Sequence, residues 1–262
     1  MRVRSSEKED GRILFAPRRA YNKGMNKVKR IVLAATMAVV MTFVAAVSLC
    51  VRALRAPVSV FSASQSGMKI VLDAGHGGID GGVTGAQTGV KESDLNLQIT
   101  LLLKSELESM GFEVALTRKT EAGLYDTTAK GFKKRDMQRR KEIILEEQPS
   151  MVISLHQNRF PTKSTRGAQV FYRKSSGSGK KLALALQQQL NGLYETQGVK
   201  HRKATAGEFF MLDIVDAPSV IVECGFLSSP LDEALLIDNA WQKKLVQTIA
   251  AGVMVYLSEG VA

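Results

Sequence analysis

Three short apolar runs in this chain each end on a group that binds metals or moves protons, and this limits the possible fold more than any other feature. Lys69-Ile70-Val71-Leu72 leads into Asp73-Ala74-Gly75-His76-Gly77-Gly78, Met151-Val152-Ile153-Ser154-Leu155 ends on His156, and Ser219-Val220-Ile221-Val222 ends on Glu223. The chain has three histidines, and two stand at these ends. Short apolar runs bounded by turn-forming residues read as buried strands. In an open α/β sheet, ligands bind outside the carboxyl ends of the strands, so strands with such endings converge on one site.

The intervening sequence supports that frame. Ser93 to Met110 predicts a helix, with Leu95, Leu97, Ile99, Leu102, Leu103 and Leu107 as its apolar stripe and Gly111 as its stop. Phe112 to Thr117 alternates as a strand, and Asp136 to Glu147 reads as a charged amphipathic helix ending before Pro149. Gly167 to Tyr172 predicts a strand, Gly179 to Leu193 a helix, Glu208 to Leu212 a short strand, and Asn239 to Leu257 a closing helix. Strands and helices in alternation imply one α/β domain over 68–262, a mostly parallel, twisted sheet flanked by helices.

The N-terminus is of another kind. Residues 31–51 hold no charge, and as a helix they would span roughly 31 Å, about the thickness of a bilayer core. Residues 1–30 carry ten Lys or Arg against three acids, and only Arg52 and Arg55 follow closely. The expected organisation is a basic cytoplasmic segment (1–30), a transmembrane or signal-anchor helix (31–51), a linker (52–67) and an extracytoplasmic catalytic domain. Ser62-Ala63-Ser64 offers an alternative as a cleavage site, and Met25 an alternative start. The formal +11 is concentrated in this flank, and the remaining 24 bases and 22 acids give no net basic field. Nucleic acid is thereby set aside as a partner. Cys50 closes the apolar run and Cys224 lies in a core strand, so no disulfide is expected.

Two histidines after strands, with carboxylates nearby, suit a zinc ion with three protein ligands and one open position. His76 and His156 supply two. The third should be a carboxylate close in space: Glu92 opens the first helix just after the His76 loop, and Asp73, Asp80 and Asp94 compete with it. By residue logic alone Glu92 is equally well a first-turn acid complementing a helix dipole. Asp73 suits the role of accepting a ligating histidine's other ring N–H. Glu223 is the expected general base, since a carboxylate buried after an apolar strand is costly without a task or partner. The reaction class is then amide hydrolysis. The glycines do not follow a dinucleotide or phosphate-loop spacing, because Asp80 stands where glycine is needed and no Gly-Lys-Ser/Thr follows. His201 sits in a basic run and reads as solvated, as do Lys133-Lys134-Arg135 and Arg139-Arg140-Lys141 on their helix.

Leu72-Asp73-Ala74-Gly75-His76-Gly77-Gly78, Lys91-Glu92, Ile153-Ser154-Leu155-His156-Gln157-Asn158 and Val222-Glu223-Cys224-Gly225-Phe226-Leu227-Ser228-Ser229-Pro230 together resemble the zinc-dependent N-acetylmuramoyl-L-alanine amidases. The resemblance runs from about Met68 to Leu257 in the family's order, and the chain is most similar to the CwlD type, the germination-specific amidases of spore formers. Ala74 and Ser229 depart from the common proline and asparagine without removing a reactive group. The resemblance implies one zinc ion held by His76, Glu92 and His156, with Glu223 catalytic. It implies peptidoglycan as substrate, cut between muramic acid and L-alanine. For spore cortex it also implies a deacetylase acting next to form muramic lactam. The rival readings are a zinc peptidase cutting within the stem peptide and a non-catalytic wall-binding adaptor on the same fold.

Overall fold

The computed structural model describes Lys29, residues 31–44 and residues 67–259. Residues 31–44 are helical with exposed side chains, in a compact unit of their own. Among the described residues no helix is long and apolar enough to cross a membrane. Residues 45–51 of the expected span, the linker up to 66 and almost all of the basic segment lie outside the described residues.

The second unit is built on six strands: β1 (Lys69–Ala74), β2 (Glu113–Leu116), β3 (Met151–Asn158), β4 (Gln169–Tyr172), β5 (Thr205–Ala206) and β6 (Ser219–Phe226). Their order is β2-β1-β3-β6-β4-β5. The helices are α1 (Glu92–Ser109), α2 (Phe132–Glu147), α3 (Gly177–Glu195), α4 (Pro230–Leu236) and α5 (Asn239–Glu259). The side-chain alternation of the strands divides the core between the two sheet faces. Ile70, Leu72, Ile153, Leu155, Val220 and Val222 pack against α1, α3 and α5. Val71, Val152 and Ile221 point the other way, with Ile144 of α2 and with Met211 and Leu212.

The sheet is mostly parallel, as expected, but mixed at one pair. β2, β1, β3 and β6 run parallel, but β4 is antiparallel to β6, and β5 follows β4. The physical reason is the connection between β3 and β4. Residues 159–168 contain no helix, and a parallel return needs a crossover of a dozen or more residues. The strand expected over Glu208 to Leu212 is a 3-10 turn instead, Phe210–Asp213. Met211 and Leu212 are both buried, which a strand of period two does not allow for adjacent residues on one face. Helix α4, after Ser229, follows no stripe in the sequence, yet proline at its first position suits a helix start.

The end of β1 is held by buried charge. Asp73 accepts from Thr117 Oγ1 and Ser154 Oγ, both at 2.6 Å, and from the Arg140 guanidinium at 2.5 Å. Arg140 also donates to Asp136 (2.6 Å) and to the carbonyls of Ala74 (2.7 Å) and His76 (2.5 Å). This corrects two expectations. Asp73 meets no histidine ring nitrogen, and Arg140 is not on a solvated face but is 1% exposed. It sits four residues after Asp136, on the side of α2 that faces the sheet.

Removing one partner of a buried pair leaves an uncompensated charge, so Arg140→Met is expected to destabilise the chain by about 3–5 kcal/mol. Urea denaturation checks this, and a loss below about 1 kcal/mol would show the pair to be dispensable. The same pair sets a pH window. Burial pushes the Asp73 carboxyl up, but Arg140, Ser154 and Thr117 outweigh it and bring it down to about 2 from an ordinary 3.8. A folded value below the unfolded one contributes stability that is fully present above about pH 4 and lost as pH falls through about 2. In Asp73→Asn that acid-side slope is expected to flatten.

Candidate metal centre and active site

β1 ends because its backbone turns. His76 has φ +62°, a left-handed conformation that non-glycine residues seldom adopt. Such strain is held only where the surroundings fix it, and here Arg140 grips the His76 carbonyl. The turn aims the His76 ring back across the end of the sheet. Gly75 is required there, since a Cβ on it would lie 2.2 Å from Cε1 of His156.

His156 reaches the same point from β3, in register with Glu223 on β6. Glu92 arrives from the first residue of α1, its backbone N–H bonded to the Val83 carbonyl at 2.9 Å. Glu92 Oε1 lies 3.2 Å from His76 Nε2 and 2.9 Å from His156 Nδ1. One potential ligand atom from each of the three residues lies within 4.8 Å of the others. These separations suit donors converging on one ion through bonds of about 2.0–2.2 Å. Glu92 is buried and its other oxygen accepts from the Val83 N–H at 2.8 Å. Burial would raise its carboxyl, but the hydrogen bonds and charges of His156 and His76 prevail and hold it well below the usual range.

The remaining carboxylates separate by task. Asp80 Oδ2 lies 3.1 Å from His76 Nδ1, the ring nitrogen turned away from Glu92, and Asp80 Oδ1 lies 3.1 Å from Lys133 Nζ. Asp80 therefore does what was expected of Asp73, orienting a histidine from behind. Asp94 is exposed and bonds only its neighbour Ser93. His201 is exposed beside Glu195, as its basic surroundings suggested. Asn96, one turn along α1, was not anticipated. It donates to Gly75 O (3.1 Å) and Glu92 Oε1 (3.3 Å) and accepts from Gln157 Nε2 (3.2 Å), linking all three segments. Its spacing of i+4 from Glu92 was the available signal.

Glu223 differs from Glu92 in both surroundings and state. Its Oε2 is buried and makes no hydrogen bond. Burial pushes its carboxyl up to about 7, against the pull of the His156 charge. Together with His76 and His156 it lines a cavity of about 340 Å³. An unpartnered buried carboxylate next to a His, Glu, His donor set fits a metal site whose remaining position opens towards a proton acceptor.

An α/β domain that gathers a His, Glu, His donor set beside a buried carboxylate is suited to hydrolysis, and comparison with known proteins gives it its class. Residues 70–254 match the family of N-acetylmuramoyl-L-alanine amidases. The germination-specific N-acetylmuramoyl-L-alanine amidase of Bacillus subtilis is 30% identical over 197 residues, covering 74% of this chain and 81% of the relative. A solved CwlD amidase from Clostridioides difficile, in complex with the GerS lipoprotein, superposes with a TM-score of 0.69 at 36% identity. That match covers 73% of this chain and 98% of the other. The catalytic domain of CwlV from Bacillus (Paenibacillus) polymyxa superposes with a TM-score of 0.62 at 26% identity, over 73% and 98% of the two chains. The chain belongs to the N-acetylmuramoyl-L-alanine amidase family.

The position of Asp80 leads to a measurable expectation. A carboxylate that orients a ligating histidine typically contributes 10–100-fold to metal affinity, so Asp80→Asn is expected to weaken metal binding at the His76, Glu92, His156 set by roughly that factor. Calorimetric titration with zinc measures it directly, and parental affinity in the variant would deny Asp80 the role.

Proposed function

We propose that His76, Glu92 and His156 hold a zinc ion, and that Glu223 is the general base with which this amidase hydrolyses the bond between N-acetylmuramic acid and L-alanine. The observation that carries this reading is the convergence of the three donors from separate segments, with the unpartnered Glu223 carboxylate in register with His156. Zinc in that set supplies Lewis acidity to the scissile carbonyl and to the attacking water.

The chain's own residues do the rest. Asp80 and Arg140 hold the His76 ring and backbone, and Asn96 with the Val83 amide holds Glu92. Glu223 accepts the proton of the attacking water at Oε2 and returns it to the nitrogen of the departing alanine. A carboxyl raised to about 7 is suited to both transfers near neutral pH. As pH falls below about 7 the carboxyl keeps its proton and cannot act as base, so the acid limb of kcat/KM lies in the neutral region.

The charge-free run of residues 31–51 with its basic flank supports a catalytic unit outside the cytoplasm, tethered by an N-terminal membrane helix. N-terminal mass spectrometry of the mature protein distinguishes a retained anchor from a cleaved signal. The relative named germination-specific supports a place in spore cortex maturation, with a deacetylase acting on the stripped muramic acid. Because the Clostridioides difficile relative was solved with a lipoprotein, a lipoprotein is a second class of partner to test.

Glu223→Gln is expected to retain parental zinc by elemental analysis while losing about 10²–10⁴-fold in turnover. His76→Ala is expected to lose the metal. Digested peptidoglycan should yield peptides beginning with free L-alanine. Parental turnover in Glu223→Gln, or cleavage inside the stem peptide, would overturn the reading.

A further inference from the structure

We propose that Phe209 and Phe210 form the platform on which the muramyl sugar of the substrate packs, with the peptide half lying towards Lys133. This rests on the amidase reading above and extends it to the orientation of the substrate. Both rings line the cavity that holds His76, His156 and Glu223. They are 39% and 48% exposed, although the next two residues of the same turn, Met211 and Leu212, are buried. Large apolar side chains left open beside a reactive centre mark a contact surface rather than a packing need.

The Phe209 ring is held in place before any ligand arrives. It packs edge-on against Phe171 at 5.3 Å, and the Phe209 carbonyl accepts the Leu212 N–H at 2.9 Å. A Cβ at Gly207 would lie 2.2 Å from Cε2 of Phe209, so the backbone passes against the ring with no room for a side chain. A rigid aromatic face binds with little loss of side-chain freedom.

Rings stand on both walls of the cavity, but Tyr125 and Phe132 beside Lys133 are half-buried and pack edge-on against each other at 5.2 Å. The exposed aromatic face is therefore that of Phe209 and Phe210, and the charged groups lie opposite it. The two halves of the substrate differ likewise. The turn bearing the phenylalanines packs on β6, whereas α2, bearing Lys133, packs on β1, and β3 lies between. The scissile amide joins a neutral pyranose, through its lactyl ether, to a peptide that carries carboxylates. A pyranose presents a broad face of C–H groups that stacks on aromatic rings, while a carboxylate calls for a cation. Lys133 is well exposed on its wall, its ammonium 3.1 Å from Asp80. The lone methyl of the lactyl or alanyl group would leave most of two phenyl rings uncovered.

The test uses the full-length chain and two soluble substrates: a muramyl peptide, and the same peptide capped by lactate with no sugar. The parent is expected to prefer the muramyl peptide by about tenfold in kcat/KM, a factor in keeping with one aromatic contact surface. In Phe209→Ala and Phe210→Ala the ratio between the two substrates should fall towards one, and Phe210→Tyr should restore it. Thermal melts confirm that the variants are folded. Equal losses on both substrates, or an unchanged ratio, would overturn the platform. Calorimetric titration of muramyl peptide into Glu223→Gln, with and without Phe210→Ala, reads the same contact without turnover. It judges the platform even if the parent fails to cleave the muramyl peptide, a failure that would count against the amidase reading alone.

Discussion

The end of β1 depends on two buried arginines, and the candidate metal centre depends on the end of β1. Where the backbone leaves the sheet at His76, the carbonyls of residues 74 to 76 lose their ladder partners, and buried polar groups cannot be left unpaired. Arg140 takes the carbonyls of Ala74 and His76, and Arg118 takes those of Ala74, Gly75 and Ser93. Asp73 supplies a counter-charge and through Ser154 also ties β3, two residues before His156. The Ser93 carbonyl lies next to Glu92. One charged cluster therefore fixes the segments that carry His76, Glu92 and His156. A buried ion pair is weak grounds for net stability, but it defines the geometry here because every guanidinium nitrogen of Arg140 and Arg118 donates to a fixed acceptor.

Around that cluster the protein keeps two carboxylates in opposite states. Glu92 is surrounded by donors, from two imidazoles, two backbone amides and an asparagine, and stays ionised. Glu223 lies across from His156 in the sheet with one oxygen unpartnered, and burial raises it towards neutrality. Two acids a short distance apart, one stabilised as an anion and the other poised to exchange a proton, form the arrangement through which a site divides binding from proton transfer. The cause is local in each case. Glu92 meets backbone N–H groups that its own helix does not supply, Val83 in the loop before α1 and Gln157 near the end of β3, whereas no N–H group reaches Oε2 of Glu223 inside its strand.

What could be read in the sequence followed from periodicity. β1, β3 and β6 were legible as apolar runs, and His76, His156 and Glu223 as the polar residues that follow or end them. Glu92 was placed only by resemblance, because a glutamate at a helix start looks the same whether or not it faces a metal. Arg140 was hidden in a run of basic residues whose neighbours are indeed solvated, since charge alone does not tell which of two adjacent residues faces a sheet. Asp80 rather than Asp73 took the task of orienting a histidine, because the direction of a side chain after a left-handed residue cannot be inferred from spacing. The reversal of β4 was implicit in the missing helix between β3 and β4.

That reversal also explains where the aromatic wall comes from. In a wholly parallel sheet every strand returns to its start through a crossover that spans the length of the sheet, and the connection is spent on that crossing. Here β5 runs with β4 and against β6, so β5 ends at the edge of the sheet from which β6 begins. Residues 207–218 have no such length to cross and instead fold onto the face that carries Glu223. Met211 and Leu212 fasten the turn to Val71, Val152 and Ile221, which leaves Phe209 and Phe210 at the cavity. The parallel strands bring the reactive groups together, and the antiparallel pair frees a segment to shape what lies beside them. Variation confined to residues 207–218 can thus alter what the cavity accepts without disturbing the strands that position His156 and Glu223.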